Sequence, residues 1–336
     1  MEVKKDGISV IVCCYNSSAR IILTLEHLVA QQVSANIAWE IILIDNNSSD
    51  GTGSISEVYM EKQSTTIPFS IVSEPNPGLS NARNKGFAEA KYEIVLMVDD
   101  DNSLAPNYIE GIYRGFENQP NTGMVGGLGF AALEADPPEW FNDYAYCFAV
   151  GEQNPKQHLY GAGLGLRMTA LEKLRRAGFQ SLLSDRTGDN LMSGGDTELC
   201  LAFRMAGYEL KYNPSLTFKH HLPDTRINWA YLKRLFNGFG MSKARMDIYT
   251  TVMANRPIPK RGKLPVWFDR SLYLITDLFR HFPLVLKSSL FLSEGDTRVL
   301  TTIAKLGQIR GIYAVRENYE NMFKQVQQLS KNLANE

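Results

Sequence analysis

Residues 92–102 read Tyr-Glu-Ile-Val-Leu-Met-Val-Asp-Asp-Asp-Asn, an apolar run that stops on three consecutive carboxylates. Ile94 to Val98 are long enough for a strand buried on both faces, the kind found in parallel sheets. Open α/β sheets bind ligands beyond the carboxyl ends of their strands, which is where Asp99, Asp100 and Asp101 would stand. Three adjacent acids repel one another unless a cation, a sugar hydroxyl or water separates them. A divalent cation with hard oxygen ligands is the natural partner, and Mg²⁺ or Mn²⁺ would in turn hold a phosphate. A solvated acidic turn is the alternative, and the stretch by itself leaves the two readings level.

Three apolar runs precede this one. Gly7–Asn16 reads as a first strand entering a loop, and Ser17 or Ser18 is expected to cap a helix with Ile21, Leu25, Leu28 and Val29 on one face. Trp39–Asp45 is a second strand ending in acid, followed by turn chemistry in Asn46–Thr52. Phe69–Val72 is a short third strand, and Asn76–Gly86 runs from a loop into a helix with Ser80 as the expected cap. Strand–helix alternation predicts a mostly parallel sheet with helices on both faces. Right-handed crossovers would then bring Tyr15, Asp45 and Asp99 to one sheet edge. No Gly-x-Gly-x-x-Gly follows the first strand, and no phosphate loop ending in Gly-Lys-Ser/Thr occurs. A nucleotide can still bind there, with Tyr15 stacked on the base and Asp45 accepting a hydrogen bond from a pyrimidine N–H.

Composition bounds the rest. The 336 residues suffice for one large domain or two ordinary ones, and 44% hydrophobic with 21% charged residues is globular usage. Cys13, Cys14, Cys147 and Cys200 show neither metal-ligand spacing nor a disulfide framework, which points to a reducing compartment. The first residues lack the shape of a signal peptide, and no apolar stretch is long enough to predict a transmembrane helix. Charge is split. Residues 1–225 hold 17 Lys+Arg and 28 Asp+Glu (net −11), and residues 226–336 hold 18 and 8 (net +10). The basic third suggests an anionic partner, a membrane surface or nucleic acid, or else a helical surface docked on an acidic domain.

Four segments in register carry a resemblance. Ile8–Asn16, Ile44–Thr52, Gly78–Asn84 and Met97–Asp101 are similar, in order and spacing, to the family 2 glycosyltransferases. The resemblance implies a GT-A fold and transfer of a sugar from a nucleoside diphosphate sugar with inversion at the anomeric carbon. The family's Asp-x-Asp corresponds to Asp99 and Asp101. It implies a metal at Asp101, the ribose or a metal-bound water at Asp99 and Asp100, the base at Asp45, and Tyr15 packed on it. Arg83 would face the diphosphate or else be a surface helix arginine. Cys13 and Cys14 replace the family's commoner Pro-Thr, which removes a threonine-type contact to the base.

The middle of the chain reads as the acceptor side. Gly123–Phe130 is a strand with glycines for close approach. Residues 131–160 form an aromatic insertion, either a sugar-binding wall or plain packing. Gly161–Arg167 matches the family's glycine-rich segment behind the donor sugar, and a helix over 169–177 follows. Gly194-Gly195-Asp196 puts a carboxylate at a loop tip and helix start, with Leu199, Phe203 and Met205 expected to hold that helix to the core. An inverting transfer needs one carboxylate to deprotonate the acceptor hydroxyl, and Asp196 matches the family's base position. Its alternative is a cap, with Asp189 and Glu198 as substitutes for the base and Glu198 also suited to orient the acceptor. In Tyr208–His221, Leu216, Phe218 and His220 share a face. By resemblance His220 completes the metal shell or touches the diphosphate, with His221 as its rival.

After Arg226 the pattern turns helical. Trp229–Met246 includes Gly238-Phe239-Gly240, which the resemblance would close over the diphosphate. Asn255–Pro265 is a basic, Pro-rich linker, and Trp267–Leu292 is apolar but too charged to span a bilayer. It suits either the membrane interface or a hairpin packed on the catalytic domain. One amphipathic helix is expected from Asp296 to Leu333. The expectation is therefore an α/β GT-A domain over 1–225, with a nucleotide-binding half (1–110) and an acceptor half (111–225), and a basic helical extension over 226–336. It would be an inverting glycosyltransferase using Mn²⁺ or Mg²⁺ and a UDP-sugar, with Asp196 as base and a glycan or lipid-linked glycan as acceptor. It would be cytoplasmic, peripheral on the inner face of the membrane through 226–292, with no nucleic acid partner. A binding module without turnover and a sugar-nucleotide nucleotidyltransferase are the alternatives. The first would lack the base or the metal acid. The second would need a basic glycine loop after the first strand, which residues 13–20 do not provide.

Overall fold

The computed structural model describes residues 4–183, 192–258, 263–280 and 294–336. They form two compact units. The first comprises Met1–Glu134, Ala145–Lys173 and Ala206–Leu222, and the second Ala135–Tyr144, Leu174–Met205 and Pro223–Glu336.

The first unit is an eight-stranded sheet in the order β3-β2-β1-β4-β7-β6-β8-β5. β1 (Lys5–Cys14), β2 (Trp39–Asp45), β3 (Phe69–Ser73) and β4 (Tyr92–Asp99) are all parallel to one another, as the strand–helix alternation predicts. The apolar runs of β1, β2 and β4 are buried on both faces, whereas β3 at the sheet edge is half-exposed. Register puts Cys14 beside Asp45 and Cys13 beside Asp99, so the acid-terminated strands end together at one edge.

The far half of the sheet is mixed. β7 (Leu164–Arg167) runs antiparallel to β4 and to β6 (Thr122–Leu133), β6 pairs parallel with β8 (Glu209–Leu222), and β5 (Asn102–Leu104) pairs antiparallel with β8. α1 (Ile21–Val29), α2 (Thr52–Glu61), α3 (Leu79–Glu89) and α4 (Tyr108–Phe116) cover the sheet. α4 buries Tyr108, Ile109, Ile112 and Phe116, and the Tyr108 hydroxyl donates to the Gly163 carbonyl at 2.7 Å.

Two helix starts differ from expectation. α1 begins at Ile21, with the Arg20 and Ile21 amides bonded to the Ser17 carbonyl, because the Ser17 hydroxyl is taken by Asp100. α3 begins at Leu79 after Gly78 (φ +129°), and no side chain caps it, so Ser80 lies inside the helix.

The second unit is helical: α5 (Phe141–Tyr144), α7 (Gly195–Met205), α8 (Trp229–Met253), α9 (Val266–Arg280), α10 (Thr297–Ala314) and α11 (Tyr319–Ala334); α6 (Met168–Arg176) follows β7 in the chain. The expected single helix from Asp296 to Leu333 is therefore two. The chain turns after Ala314 because Tyr319 is fully buried, with its hydroxyl on the Ala244 carbonyl at 3.1 Å. α8 and α10 cross closely. A Cβ on Gly240 would come within 2.0 Å of the Ala304 carbonyl, and one on Gly307 within 2.3 Å of the Asn237 carbonyl. The glycine-containing segment of α8 thus serves helix packing.

Residues 135–144 of the aromatic insertion pack inside the second unit. Trp140 lies 5.9 Å from Trp229 and donates its indole N–H to Glu294, and the Tyr144 hydroxyl donates to the Gly295 carbonyl. α7 buries Glu198, Cys200, Leu201, Ala202 and Phe203, whereas Leu199 and Met205, expected to be its anchors, are half-buried. Asp189 and residues 281–292 of the apolar run lie outside the described residues.

Candidate active site

Two loops are stitched together at the carboxyl edge of β1 and β2. The Asn16 amide donates to Ser48 Oγ (3.0 Å), the Ser17 amide to Thr52 Oγ1 (2.8 Å), and the Ser18 amide to Asp50 Oδ2 (2.9 Å). The Ser49 amide answers by donating to Asn16 Oδ1 at 2.9 Å. Asn16 and Asn47 take left-handed backbone, which short amide side chains tolerate. The polar turn Asn46–Thr52 is thus a clamp on the loop that carries Tyr15, which is left exposed.

Asn46 had no assigned role and holds the third loop. Buried, it donates Nδ2 to the carbonyls of Glu74 and Asn76, and its Oδ1 accepts from the Gly78 amide at 2.8 Å. Its signal in the sequence was a short amide directly after an acid-terminated strand. Asp45 accepts the Ser48 amide at 3.0 Å, and a Cβ on Gly53 would sit 3.1 Å from its Oδ2. Arg83, for which a surface position was the alternative, is 8% exposed. Its charge acts on Asp99 and on Cys13, whose thiol burial pushes up to about 12.

The three acids part company in space. Asp100 turns to the Ser17 hydroxyl and to Arg20, ion-paired at 2.8 Å. Asp99 and Asp101 flank Asn102, which is fully buried: its Oδ1 accepts the Asp99 amide (3.1 Å), and its Nδ2 donates to Asp101 Oδ1 (3.4 Å). The sequence placed Asn102 at the end of the acidic run without a role. Burial, and then the nearby Asp101 carboxylate, raise both Asp99 and Asp100 above the ordinary carboxylate range, while Arg83 pulls Asp99 back and Arg20 pulls Asp100 back.

β5 and β8 bring the histidine. Asn102 pairs with His220, and the His221 amide donates to the Asp101 carbonyl at 2.9 Å. His220 Nε2 lies 3.3 Å from Asp101 Oδ1, and its Nδ1 lies 2.6 Å from the Phe148 carbonyl. A carbonyl only accepts, so Nδ1 carries a proton. Nε2 then faces Asp101 either as a second N–H or as a lone pair that shares a cation with the carboxylate. Burial works against the charged imidazole, but the Asp101 charge and hydrogen bond outweigh it and hold its pKa above the ordinary value. His221, the rival, lies 2.9 Å from Ser103 Oγ instead. Among the described residues no group of three or more His, Cys, Asp or Glu side chains could hold a metal ion. Asp101 and His220 form a two-donor set, which fits a cation that keeps its other positions for water and phosphate.

In the second unit, Asp196 sits in the first turn of α7, and its Oδ1 accepts the Thr197 amide at 2.7 Å. Glu198 is buried and accepts the Ser181 hydroxyl, the Leu182 amide (2.6 Å) and the Tyr249 hydroxyl (2.9 Å). This saturated carboxylate ties the segment before α7 to α8, a fixed position unlike that of a base or an acceptor-orienting group.

Residues 9–175 match the model of glycosyl transferase family 2. The glucosyl-dolichyl phosphate glucuronosyltransferase of Haloferax volcanii is 24% identical over 72% of this chain and 77% of its own length. The poly-beta-1,6-N-acetyl-D-glucosamine synthase of Staphylococcus epidermidis is 27% identical over 67% of this chain, which spans about half (54%) of that protein. Among solved structures, the mannosyltransferase PcManGT of Pyrobaculum calidifontis, in complex with GDP-Man and Mn²⁺, superposes with a TM-score of 0.58 at 18% identity, covering 92% of this chain and 88% of that one. Through residues 9–175 the chain belongs to glycosyl transferase family 2, and it is a glycosyltransferase of the GT-A fold.

Proposed function

We propose that the chain moves a sugar from a nucleoside diphosphate sugar, a UDP-sugar, to a hydroxyl of a glycan or lipid-linked glycan, with inversion at the anomeric carbon. The observation that carries this reading is the β5–β8 pairing, which sets His220 Nε2 3.3 Å from Asp101 Oδ1 at the end of an acid-terminated strand. Residues 1–225 would be the catalytic domain and 226–336 an extension, working in the cytoplasm at the inner face of the membrane.

Asp101 and His220 would hold Mn²⁺ or Mg²⁺, and an imidazole ligand favours Mn²⁺. Such a cation supplies charge stabilisation to the leaving diphosphate. The chain's own groups do the rest. Asp45 accepts from the pyrimidine N–H, Tyr15 covers the base, and Asp99 and Asp100 serve the ribose side. Buried Arg83 contributes positive charge toward the diphosphate. Asp196 takes the proton of the attacking hydroxyl. The names of the two relatives, one acting on a dolichyl phosphate-linked sugar and one making a polysaccharide, support an acceptor of this class.

Nucleotide release from a panel of UDP-, GDP- and dTDP-sugars, with Mn²⁺ or Mg²⁺, tests the reading. We expect one UDP-sugar to turn over only with metal and Asp101→Ala to abolish turnover. Asp196→Asn should slow transfer by about 10²–10⁴-fold while leaving donor binding intact. Full transfer by Asp196→Asn would remove it as the base, and preference for a purine donor would remove the role given to Asp45.

A further inference from the structure

Helix α9 turns its acids inward. Asp269 is 5% exposed, and Asp277 is ion-paired with Lys305 of α10 at 2.5 Å. Arg270 also faces inward, onto Asp247 of α8 at 3.0 Å. What the helix leaves most exposed is Phe268, Tyr273, Ile275, Thr276, Phe279 and Arg280, with no acid among them. Phe268, Ile275 and Phe279 are 41%, 37% and 69% exposed. With half-buried Leu272 they recur at four-, three- and four-residue spacing, which puts them within about 60° of arc at 3.6 residues per turn. The buried side of the helix is a different set, Val266, Asp269, Ser271 and Leu274. Exposed Lys263 precedes the helix and exposed Arg280 ends it.

The patch continues onto α10. The Trp267 ring lies edge-on to Phe268 and to Tyr313, with centroids 5.6 and 6.3 Å away. The Arg316 guanidinium stands 4.3 Å over the exposed Tyr313 ring. Indole and phenol rings beside an arginine are amphipathic groups that settle where apolar matter meets water.

We propose that this face of α9, extended by Tyr313 and Arg316, docks on a bilayer containing anionic lipid. Charge selects the occupant. The exposed arc of α9 presents no carboxylate, Glu317 beside Tyr313 is ion-paired with Arg316 at 3.3 Å, and residues 226–336 carry net +10. A second copy of the same face would set like charge against like charge, whereas anionic headgroups complement it. At 15 residues with four charged side chains, α9 is too short and too polar to span and would lie in the interface plane. The proposal goes beyond the transferase reading and is independent of it, since binding to vesicles requires no donor or acceptor.

Co-sedimentation of the whole chain with vesicles tests it, using phosphatidylcholine alone and a mixture of about three parts phosphatidylcholine to one part phosphatidylglycerol. We expect sedimentation with the anionic vesicles, weakening as salt rises. Phe268→Ser combined with Phe279→Ser should reduce it at least tenfold with an unchanged thermal melt. Lys263→Glu combined with Arg280→Glu changes only exposed charge and should reduce binding several-fold at low salt. A wild type that stays in the supernatant, or serine and charge variants that pellet as well as wild type, would overturn the proposal. So would a wild-type dimer in light scattering that the serine variant converts to monomer, since the face would then belong to a second copy.

Discussion

Glu198 and Asp101 are buried to similar depth, 1% and 7% exposed, each within its own unit of the fold. Their surroundings are opposite. Glu198 receives a hydroxyl from Ser181, an amide from Leu182 and a phenol from Tyr249. Asp101 has Asn102 and His220 at the margin of hydrogen-bonding distance and two carboxylates as sequence neighbours. A buried carboxylate with its lone pairs filled stabilises the fold around it. One crowded by like charge and held in place by backbone pairing concentrates negative potential at a single point, the setting in which a cation is favoured. The sign of the neighbouring groups, rather than burial, separates the strut from the site.

Asp101→Asn presses the contrast hardest. Removing that charge should cost roughly 10²–10³-fold in nucleotide release, while the melting temperature holds or rises because the repulsion among the acids is relieved. A melting temperature that drops as far as that of a Glu198 variant would erase the distinction. Glu198→Ala should do the reverse. It strands the Ser181, Leu182 and Tyr249 donors and should remove about 2–3 kcal/mol of folding stability in denaturant titration. Asn102→Ala tests the frame of the acidic turn. It removes the acceptor of the Asp99 amide and should cost about 1 kcal/mol of stability, with a smaller loss of activity than Asp101→Asn.

The mildest test is in pH. Burial, opposed by its hydrogen bonds, holds the Glu198 carboxyl above the ordinary glutamate value. The folded state therefore binds that proton more tightly than the unfolded chain. Its contribution is complete below the ordinary value and is lost as pH rises through the raised one. Melts across that window should show wild type losing stability relative to Glu198→Gln as pH rises, and parallel curves would exclude the assignment.

The parallel half of the sheet was legible because β1, β2 and β4 are continuous apolar runs that end in polar residues. The sheet edge shared by Asp45 and Asp99 followed from handedness alone. What escaped the sequence depends on distant partners. Ser17 and Ser80 have the chemistry of helix caps, yet Asp100 takes the hydroxyl of Ser17, and Gly78 lets α3 begin before Ser80. β5 is three residues long, too short for a periodicity, and exists because β8 supplies its partners. Asn46 and Asn102 looked like turn residues, and only their burial shows that they brace the site. The break between α10 and α11 has no glycine or proline to announce it. The assignment of His220 over His221 at Asp101 became readable once the register of β5 on β8 was known.

That register also sets a clock. Ser103 and His221, bonded across β5 and β8, stand 118 positions apart. At the ribosome's pace of about 5–20 residues per second, the acidic run is made roughly 6 to 24 seconds before its histidine. β1 to β4 can pair in that interval, but β5 has no neighbour to join. The nascent chain therefore holds its nucleotide-side strands long before it can complete the Asp101–His220 pair, and competence arrives late, with the strand that closes the sheet.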